Sequence, residues 1–216
     1  MKGTPRTPST PDSHPPASPE GGHGHHVKHT PEEWAKKLDA KERDDWQKPD
    51  SLIALLNIVP GQTVAEIGAG TGYFLRYLSK AVGETGHVLA RDVEMDLVDH
   101  MKKRIEAEGL TNVTISVCPF DHPGLPNAAV DLVLLVNTWH HISNRVDYAK
   151  KLGATLGPEG RICIVDFHKE SAVGPPPDHK LSSDQIIREL TDAGLSIKIE
   201  EESLPEQYVI RAENKK

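Results

Sequence analysis

Short apolar runs alternate with helix-forming segments from residue 63 onward, and this alternation constrains the fold more than any other feature. The first five runs with strand character lie at residues 63–67, 87–90, 113–117, 131–136 and 161–166. Strands separated by helices pair in parallel, because each helix carries the chain back across the sheet. Two further runs, at residues 196–201 and 207–211, are too close for a crossover helix and should pair antiparallel. The pattern predicts an α/β fold with a doubly wound, mostly parallel sheet that ends in an antiparallel hairpin.

The first 29 residues differ in composition from the rest of the chain. They contain six prolines, five histidines and almost no large apolar side chains. Such a segment cannot bury enough apolar surface to offset the entropy of ordering, so we predict a disordered Pro/His-rich tail at residues 1–29. Within it, GGHGHHVKH places imidazoles close enough to chelate a transition-metal ion; the alternative is a plain solvated tail.

A charged helical segment follows the tail. Thr30, Pro31 and Glu33 form the sequence of a capping box with proline at the first helical position. A helix with few apolar groups besides Trp46 needs a surface to lie on. We therefore predict that residues 30–49 form a helical lid over the ligand site, with packing against a sheet edge as the alternative. Residues 50–216 then form the ligand-binding domain.

The charge of the chain argues against a polyanionic partner. The formal net charge is −7 at pH 7, whereas attraction to nucleic acid or to an anionic membrane requires clustered lysine and arginine. No run approaches the roughly 18 apolar residues of a membrane span. The first residues, MKGTPRTPST, lack the apolar centre of a secretory signal. We therefore expect a cytoplasmic protein with no nucleic-acid or membrane partner.

The most informative motif is the glycine turn after the first strand, in the stretch VAEIGAGTGYF. In a doubly wound sheet, ligands bind at the carboxyl ends of the strands, near the switch in strand order. Gly68, Gly70 and Gly72 leave the backbone bare there, so that a ligand can approach closely. The nucleoside-triphosphate motif requires a lysine followed by serine or threonine after the last glycine, and both are absent.

Three side chains near this turn distinguish between the remaining nucleotide ligands. A dinucleotide motif requires a small residue where the bulky Tyr73 stands. Glu66 places a carboxylate two residues before Gly68, and a carboxylate repels a pyrophosphate but attracts a cationic ligand. The turn therefore favours S-adenosylmethionine over NAD. Asp92, at the end of the second strand, suits a ribose because one carboxylate accepts from both hydroxyls; its alternative role is a helix N-cap.

At this point the sequence resembles the class I S-adenosylmethionine-dependent methyltransferases, over roughly residues 50–213. The motifs that carry the resemblance are VAEIGAGTGYF, VLARDVEMDLV, LPNAAVDLVLLVNTWHHI and LGPEGRICIVDF. The chain looks most like small bacterial methyltransferases akin to those of quinone biosynthesis. The resemblance implies a Rossmann-like sheet of seven strands with the last strand reversed, which agrees with the predicted hairpin.

The resemblance also implies which residues bind S-adenosylmethionine. The implied residues are Glu66, Gly68, Ala69, Gly70, Gly72, Asp92, Val93, Asp121 and Asn137. Glu66 and the glycine-turn backbone would hold the methionine part, Asp92 the ribose, and Val93 the adenine. Many relatives place an aspartate for the adenine amino group where this chain has Pro119, so Asp121 is the expected substitute. Asn137 would lie near the sulfonium.

Methyl transfer needs a base only when the acceptor atom carries a proton in the bound state. The cluster NTWHH, residues 137–141, ends the fourth strand at the mouth of the expected site. A histidine there can accept a proton at neutral pH, so His140, His141 and His168 are the candidate catalytic residues, with His140 the one expected to face the pocket. In the alternative reading, one of the paired histidines bonds a loop carbonyl and the other packs. No spacing typical of a metal site supports a catalytic metal.

The leading hypothesis is thus a methyltransferase that acts on a small molecule. A different class is a protein that binds S-adenosylmethionine without turnover, with the histidine-rich tail recruiting a metal ion or a partner. A nicotinamide oxidoreductase is the third hypothesis, and Glu66 and Tyr73 argue against it. An open space above the methyl group with an aligned histidine favours the enzyme, whereas a plugged pocket favours the binding protein.

Overall fold

The computed structural model describes residues 30–199 and 204–216. Three helices come first: α1 Pro31–Leu38, α2 Arg43–Gln47 and α3 Pro49–Leu56. Strands and helices then alternate as β1 Thr63–Ile67, α4 Leu75–Val82, β2 His87–Asp92, α5 Met95–Glu108, β3 Val113–Val117, β4 Val130–Val136, α6 Arg145–Thr155, β5 Leu156–Phe167, α7 Ser183–Asp192, β6 Leu195–Ile199 and β7 Gln207–Asn214. The tail predicted at residues 1–29, with its metal-binding histidines, lies outside the described residues.

The seven strands form one sheet in the order β3-β2-β1-β4-β5-β7-β6. Neighbouring strands pair in parallel except at β7, which runs antiparallel to both β5 and β6. The predicted fold and its closing hairpin are therefore confirmed. From β1 the chain moves outward through β2 and β3 and then returns to the other side of β1 at β4. The carboxyl ends of β1 and β4 consequently flank the switch in strand order, where this class of sheet binds its ligands.

Helices cover both faces of the sheet, which explains the continuous apolar run of β4. Leu132 and Leu134 pack with side chains of α3, α4 and α5 on one face. Val133 and Leu135 pack with side chains of α6 and α7 on the other. Successive side chains of a strand point to opposite faces, so a strand with two buried faces needs apolar residues at every position. No helix in the described part of the chain is long and apolar enough to cross a bilayer.

The ends of several strands differ by one to three residues from the sequence-based expectation. The largest difference is at the fifth strand, which begins at Leu156 instead of residue 161 because Leu156 already pairs with Val130 before a shift in register. The predicted capping box is present, since Thr30 and Glu33 cap each other at α1. At the start of α7 the Ser182 hydroxyl accepts from the Gln185 backbone N–H.

Candidate active site

The glycine turn lies at the carboxyl end of β1, beside β4. Gly68 and Gly70 have φ angles of +69° and +59°, which favour glycine over any residue with a Cβ. A Cβ on Gly68 would lie 2.4 Å from the Thr138 side chain, so Thr138 packs directly on bare backbone. The N–H groups of Gly68 and Ala69 donate to the Arg91 carbonyl at 2.8 and 3.1 Å. These bonds fix the turn to β2 and give it a defined shape.

Asp92 ends β2 beside the turn. One carboxylate oxygen accepts from the Gly70 N–H at 2.8 Å, and the other accepts from the Glu94 N–H at 3.0 Å. Burial raises the pKa of the Asp92 carboxyl, and the backbone hydrogen bonds oppose that shift. The side chain therefore stabilises the glycine turn, and it stands at the strand end from which a ribose contact is expected.

Glu66 is a buried carboxyl group near the carboxyl end of β1, just before the glycine turn. It is 3% exposed, and its Oε2 atom has no hydrogen-bond partner among the described residues. Burial raises its pKa to about 8; Arg43 and Arg104 lower the pKa and Asp92 raises it further. An unpartnered buried polar atom costs free energy, and a strongly perturbed acid at a ligand-binding edge indicates a functional role.

The segment that contains α1 and α2 lies against the glycine turn and α5. Asp39 accepts hydrogen bonds from the Thr71 hydroxyl and from Arg104, both at 3.0 Å. Asp44 accepts from the Tyr73 hydroxyl. A Cβ on the second glycine of the turn would lie 3.4 Å from the Leu38 side chain. The part of the chain predicted as a lid is thus in contact with the edge that it was predicted to cover.

A buried ring of three amides joins α2 to β4 and β7. Gln47 donates to Gln207, Gln207 donates to Asn137, and Asn137 donates to Gln47 at 3.3 Å. Asn137 has a φ of +57°, which asparagine tolerates better than most residues. The sequence pointed to Asn137 but not to its partners. The available signal was a glutamine at the start of β7, directly before the apolar run at residues 208–210 and next to the carboxyl end of β5.

The structure pairs His140 with Asp166. His140 lies in a 3₁₀ turn after β4, and Asp166 lies near the carboxyl end of the neighbouring strand β5. His140 Nδ1 is 2.9 and 3.0 Å from the two carboxylate oxygens, and both side chains are almost completely buried. A carboxylate only accepts, so Nδ1 carries the proton and Nε2 is the ring's proton acceptor. This arrangement suits a general base. The sequence identified His140, whereas the structure was needed to pair it with Asp166.

Phe167 is the centre of a largely buried cluster of side chains next to this pair, which we call the Phe167 cluster. Its ring centroid is 6.4 Å from that of His140 and 5.7 Å from that of Trp46 in α2. The ammonium of Lys180 lies 5.9 Å from the same ring. Lys180 is 4% exposed and donates to the Ser171 carbonyl at 2.6 Å, and no carboxylate of the described residues forms an ion pair with it. The Phe167 cluster thus combines aromatic side chains with a buried ammonium group.

The other two candidate histidines occupy different positions. The ring of His141 is exposed and lies on His140, with centroids 4.1 Å apart. His168 is exposed beyond the end of β5, edge-on to the ring of Tyr208 in β7 at 5.5 Å. The structure therefore brings two of the three histidines together. Within residues 30–199 and 204–216 no group of three or more metal-ligating side chains occurs.

The predicted adenine residues differ in their surroundings. Val93 is half-buried directly after β2. The Asp121 side chain is 84% exposed and lies 3.6 Å from Lys151 of α6. Two large apolar residues that the sequence interpretation did not use, Met95 and Phe120, are exposed just beyond β2 and β3. Because β2 and β3 are neighbours, these groups follow adjacent strand ends, and exposed apolar surface of this kind suits a flat ring.

The chain is an α/β protein with a doubly wound sheet and a glycine turn at the switch in strand order, and comparison with known proteins narrows the class of protein. A family described as a methyltransferase domain matches residues 64–160. A solved S-adenosylmethionine-dependent methyltransferase from Aquifex aeolicus is 30% identical, with a TM-score of 0.80 over 86% of this chain and 98% of that one. The chain therefore belongs to the S-adenosylmethionine-dependent methyltransferases, and S-adenosylmethionine is confirmed as its cofactor.

Curated relatives give a more specific but partial comparison. The ubiquinone/menaquinone biosynthesis C-methyltransferase of Hydrogenovibrio crunogenus is 27% identical over 118 residues, which are 54% of this chain and 46% of the relative. The chain thus spans about half the length of the curated relatives that it matches. A phosphoethanolamine N-methyltransferase of Haemonchus contortus, solved with S-adenosylmethionine, has a TM-score of 0.64 at 14% identity over 79% of this chain and 53% of that one. At that identity the likeness shows the fold alone.

Proposed function

We propose that this protein transfers the methyl group of S-adenosylmethionine to a small-molecule acceptor and that His140 takes the proton of the acceptor atom. One observation carries the proposal. The buried pair of His140 and Asp166 stands at the carboxyl edge of the sheet, on the strands that follow the glycine turn across the switch in strand order. A nucleoside site and an oriented base at one edge are what methyl transfer to a protonated acceptor requires.

The residues at the turn fit the cofactor. The proposed contacts are Glu66 with the backbone of Gly68, Ala69, Gly70 and Gly72 for the methionine part, Asp92 for the ribose, Val93 and Asp121 for the adenine, and Asn137 near the sulfonium. The buried Glu66 oxygen without a partner supports this assignment. When bound, the sulfonium supplies a methyl carbon that is already electrophilic, so the protein mainly aligns the reactants and excludes water.

His140 moves the proton. Its Nδ1–H stays bonded to Asp166, which fixes the ring and leaves Nε2 to accept. The bound cofactor would supply the methyl group to the acceptor atom, and its sulfur would keep the electron pair of the broken carbon–sulfur bond. The acceptor proton goes to Nε2, and the Asp166 carboxylate stabilises the imidazolium charge that results.

The Phe167 cluster supports a proposal about the chemistry of the methyl acceptor. Aromatic groups and the buried ammonium of Lys180 lie together there. An ammonium stabilises an acceptor that becomes negative as it loses its proton. We therefore propose a small molecule with an acidic O–H, N–H or C–H group next to an apolar body, enclosed by the lid at residues 30–49. The C-methyltransferase name of the curated relatives agrees with an acidic C–H.

Two measurements test this function. Calorimetric titration should show binding of S-adenosylhomocysteine, the demethylated product, and no binding of NAD. A screen of small molecules for labelled methyl incorporation should then find acceptors whose labelling depends on His140. His87→Gln is the control that retains activity, because His87 starts β2 at the opposite edge of the sheet. Binding of NAD without binding of S-adenosylhomocysteine would contradict the proposal. Binding without methyl transfer to any acceptor would support the non-catalytic alternative, which the family membership does not favour.

A further inference from the structure

A basic and an acidic side chain at the glycine turn are buried near each other, and each has an atom without a hydrogen-bond partner. Arg43 of α2 is 9% exposed, and its Nε–H has no hydrogen-bond acceptor in the described part of the chain. Glu66 Oε2 is likewise without a donor. No nitrogen of Arg43 lies within 4.0 Å of a Glu66 oxygen, so the two side chains do not form an ion pair. A ligand that offers both an acceptor and a donor would satisfy both groups.

Contacts with the rest of the domain fix the position of Arg43. Its guanidinium carbon lies 3.9 Å from the ring centroid of Tyr73, the first residue after the glycine motif. Its terminal nitrogens donate to the Leu38 carbonyl at 2.6 Å and to Gln47 at 3.2 Å. Those bonds use only two of its five N–H groups. Nε–H and a neighbouring terminal N–H form the side of the guanidinium that matches both oxygens of a carboxylate.

We propose that Arg43 binds the carboxylate of the amino-acid part of S-adenosylmethionine, while Glu66 accepts from its ammonium. A zwitterion is the chemical group that suits both side chains: its carboxylate accepts from the Arg43 guanidinium, and its ammonium favours the ionised form of the Glu66 carboxyl. Because Arg43 belongs to the segment predicted as a lid, the same contact links closure of that segment to the bound cofactor. This inference rests on the proposed function, since it takes the glycine turn to be the site of the nucleoside.

Binding measurements with three ligands test Arg43 directly. The ligands are S-adenosylhomocysteine, its analogue that lacks only the carboxylate, and 5′-methylthioadenosine, which lacks both charges. Wild-type protein should bind S-adenosylhomocysteine about 10- to 100-fold more tightly than the decarboxylated analogue, the usual range for a lost hydrogen-bonded charge. Arg43→Met should weaken the binding of S-adenosylhomocysteine by a similar factor. The affinity for the decarboxylated analogue should stay nearly unchanged, so that the preference for the carboxylate disappears.

Arg104→Met is the matched control. Arg104 also fastens the segment to the domain, through Asp39 and the Thr71 carbonyl, but its removal should leave the preference for the carboxylate intact. Arg43→Lys, which keeps the charge and loses the planar fork, should retain part of that preference. Thermal melting of each variant establishes that it is folded.

Two outcomes overturn the assignment of Arg43. If Arg43→Met keeps the full preference for the carboxylate, another group binds it. If Arg43→Met weakens all three ligands equally, Arg43 only positions the segment. Failure of the proposed function gives a different result, because wild-type protein would then bind neither S-adenosylhomocysteine nor 5′-methylthioadenosine.

Discussion

The two halves of the candidate site are built in different ways. The centre of the cofactor half, at β1 and β2, consists of residues close together in sequence, and its backbone turn is held by local hydrogen bonds such as that from Gly70 to Asp92. The acceptor half, at β4 and β5, consists of side chains that strand pairing brings together, such as His140 and Asp166. The first half fits a ligand through backbone shape, whereas the second supplies individual chemical groups. Changes in the first half should therefore affect binding, and changes in the second should affect turnover.

The largest expected effect is on turnover. His140→Gln should reduce the rate of methyl transfer by about 10²- to 10⁴-fold, the usual contribution of a general base. Asp166→Asn should also slow it, since Asn no longer stabilises the imidazolium. Single-turnover labelling measures the rate, and titration should show unchanged S-adenosylhomocysteine affinity. An equal loss of rate in the control His87→Gln, or a loss of cofactor affinity in His140→Gln, would contradict the distinction between the two halves.

The second largest effect is expected on stability, when the shape of the glycine turn is changed. Gly68→Ala should lower the free energy of unfolding by about 2–4 kcal/mol, from positive-φ strain and the overlap with Thr138. Gly109→Ala is the matched control, because Gly109 has a similar φ of +67° and nothing within 4 Å of the added Cβ. Its cost should be only the strain of about 1 kcal/mol. Urea denaturation compares the two variants, and equal losses would mean that Thr138 simply moves aside.

The sequence predicted the fold around the glycine turn because the signals for it are local. The strand, the spaced glycines and the acids Glu66 and Asp92 lie within one short part of the chain, and the turn they form needs no distant residue to be recognised. Arg43 and Asp166 could not be assigned in this way. Their roles depend on which strands become neighbours and on how α2 lies across the sheet, and neither is expressed in residue spacing.

Glu66 should give a pH-dependent stability that separates it from ordinary carboxyl groups. Its folded pKa of about 8 lies above the ordinary value of 4.5, with Arg43, Asp92 and Arg104 as the charged groups around it. The folded state therefore binds the proton more tightly, and the contribution of Glu66 to stability is lost as pH rises from about 4.5 to 8. Relative to wild type, Glu66→Gln should gain up to about 1.4 kcal/mol per pH unit over that range. A constant difference at pH 5 and pH 8 would contradict the raised pKa.

A smaller effect is expected at the ribose. Asp92→Ala should weaken S-adenosylhomocysteine binding by roughly 1–3 kcal/mol, the scale of a lost pair of charge-assisted hydrogen bonds. Unchanged affinity by titration would remove Asp92 from the site. Asp121→Ala tests the adenine prediction in the same experiment: weaker binding supports it, whereas unchanged affinity leaves Asp121 to its contact with Lys151 at the surface.

The smallest effect is expected from the proline- and histidine-rich segment. Its composition provides little apolar surface to bury, so deletion of residues 1–29 should leave the melting temperature within about 2 °C of wild type. A large drop in melting temperature would show that the segment packs on the domain and belongs to one of the two halves.

We propose above all that the glycine turn beside Glu66 binds S-adenosylmethionine and directs its sulfur toward His140. A crystal structure of the complex with S-adenosylhomocysteine measures this directly. We predict the nucleoside on the turn, its ribose at the end of β2 and its sulfur on the side of β4, facing His140. A nucleoside bound away from the glycine turn would contradict this proposal. So would a sulfur that points away from His140 and the Phe167 cluster.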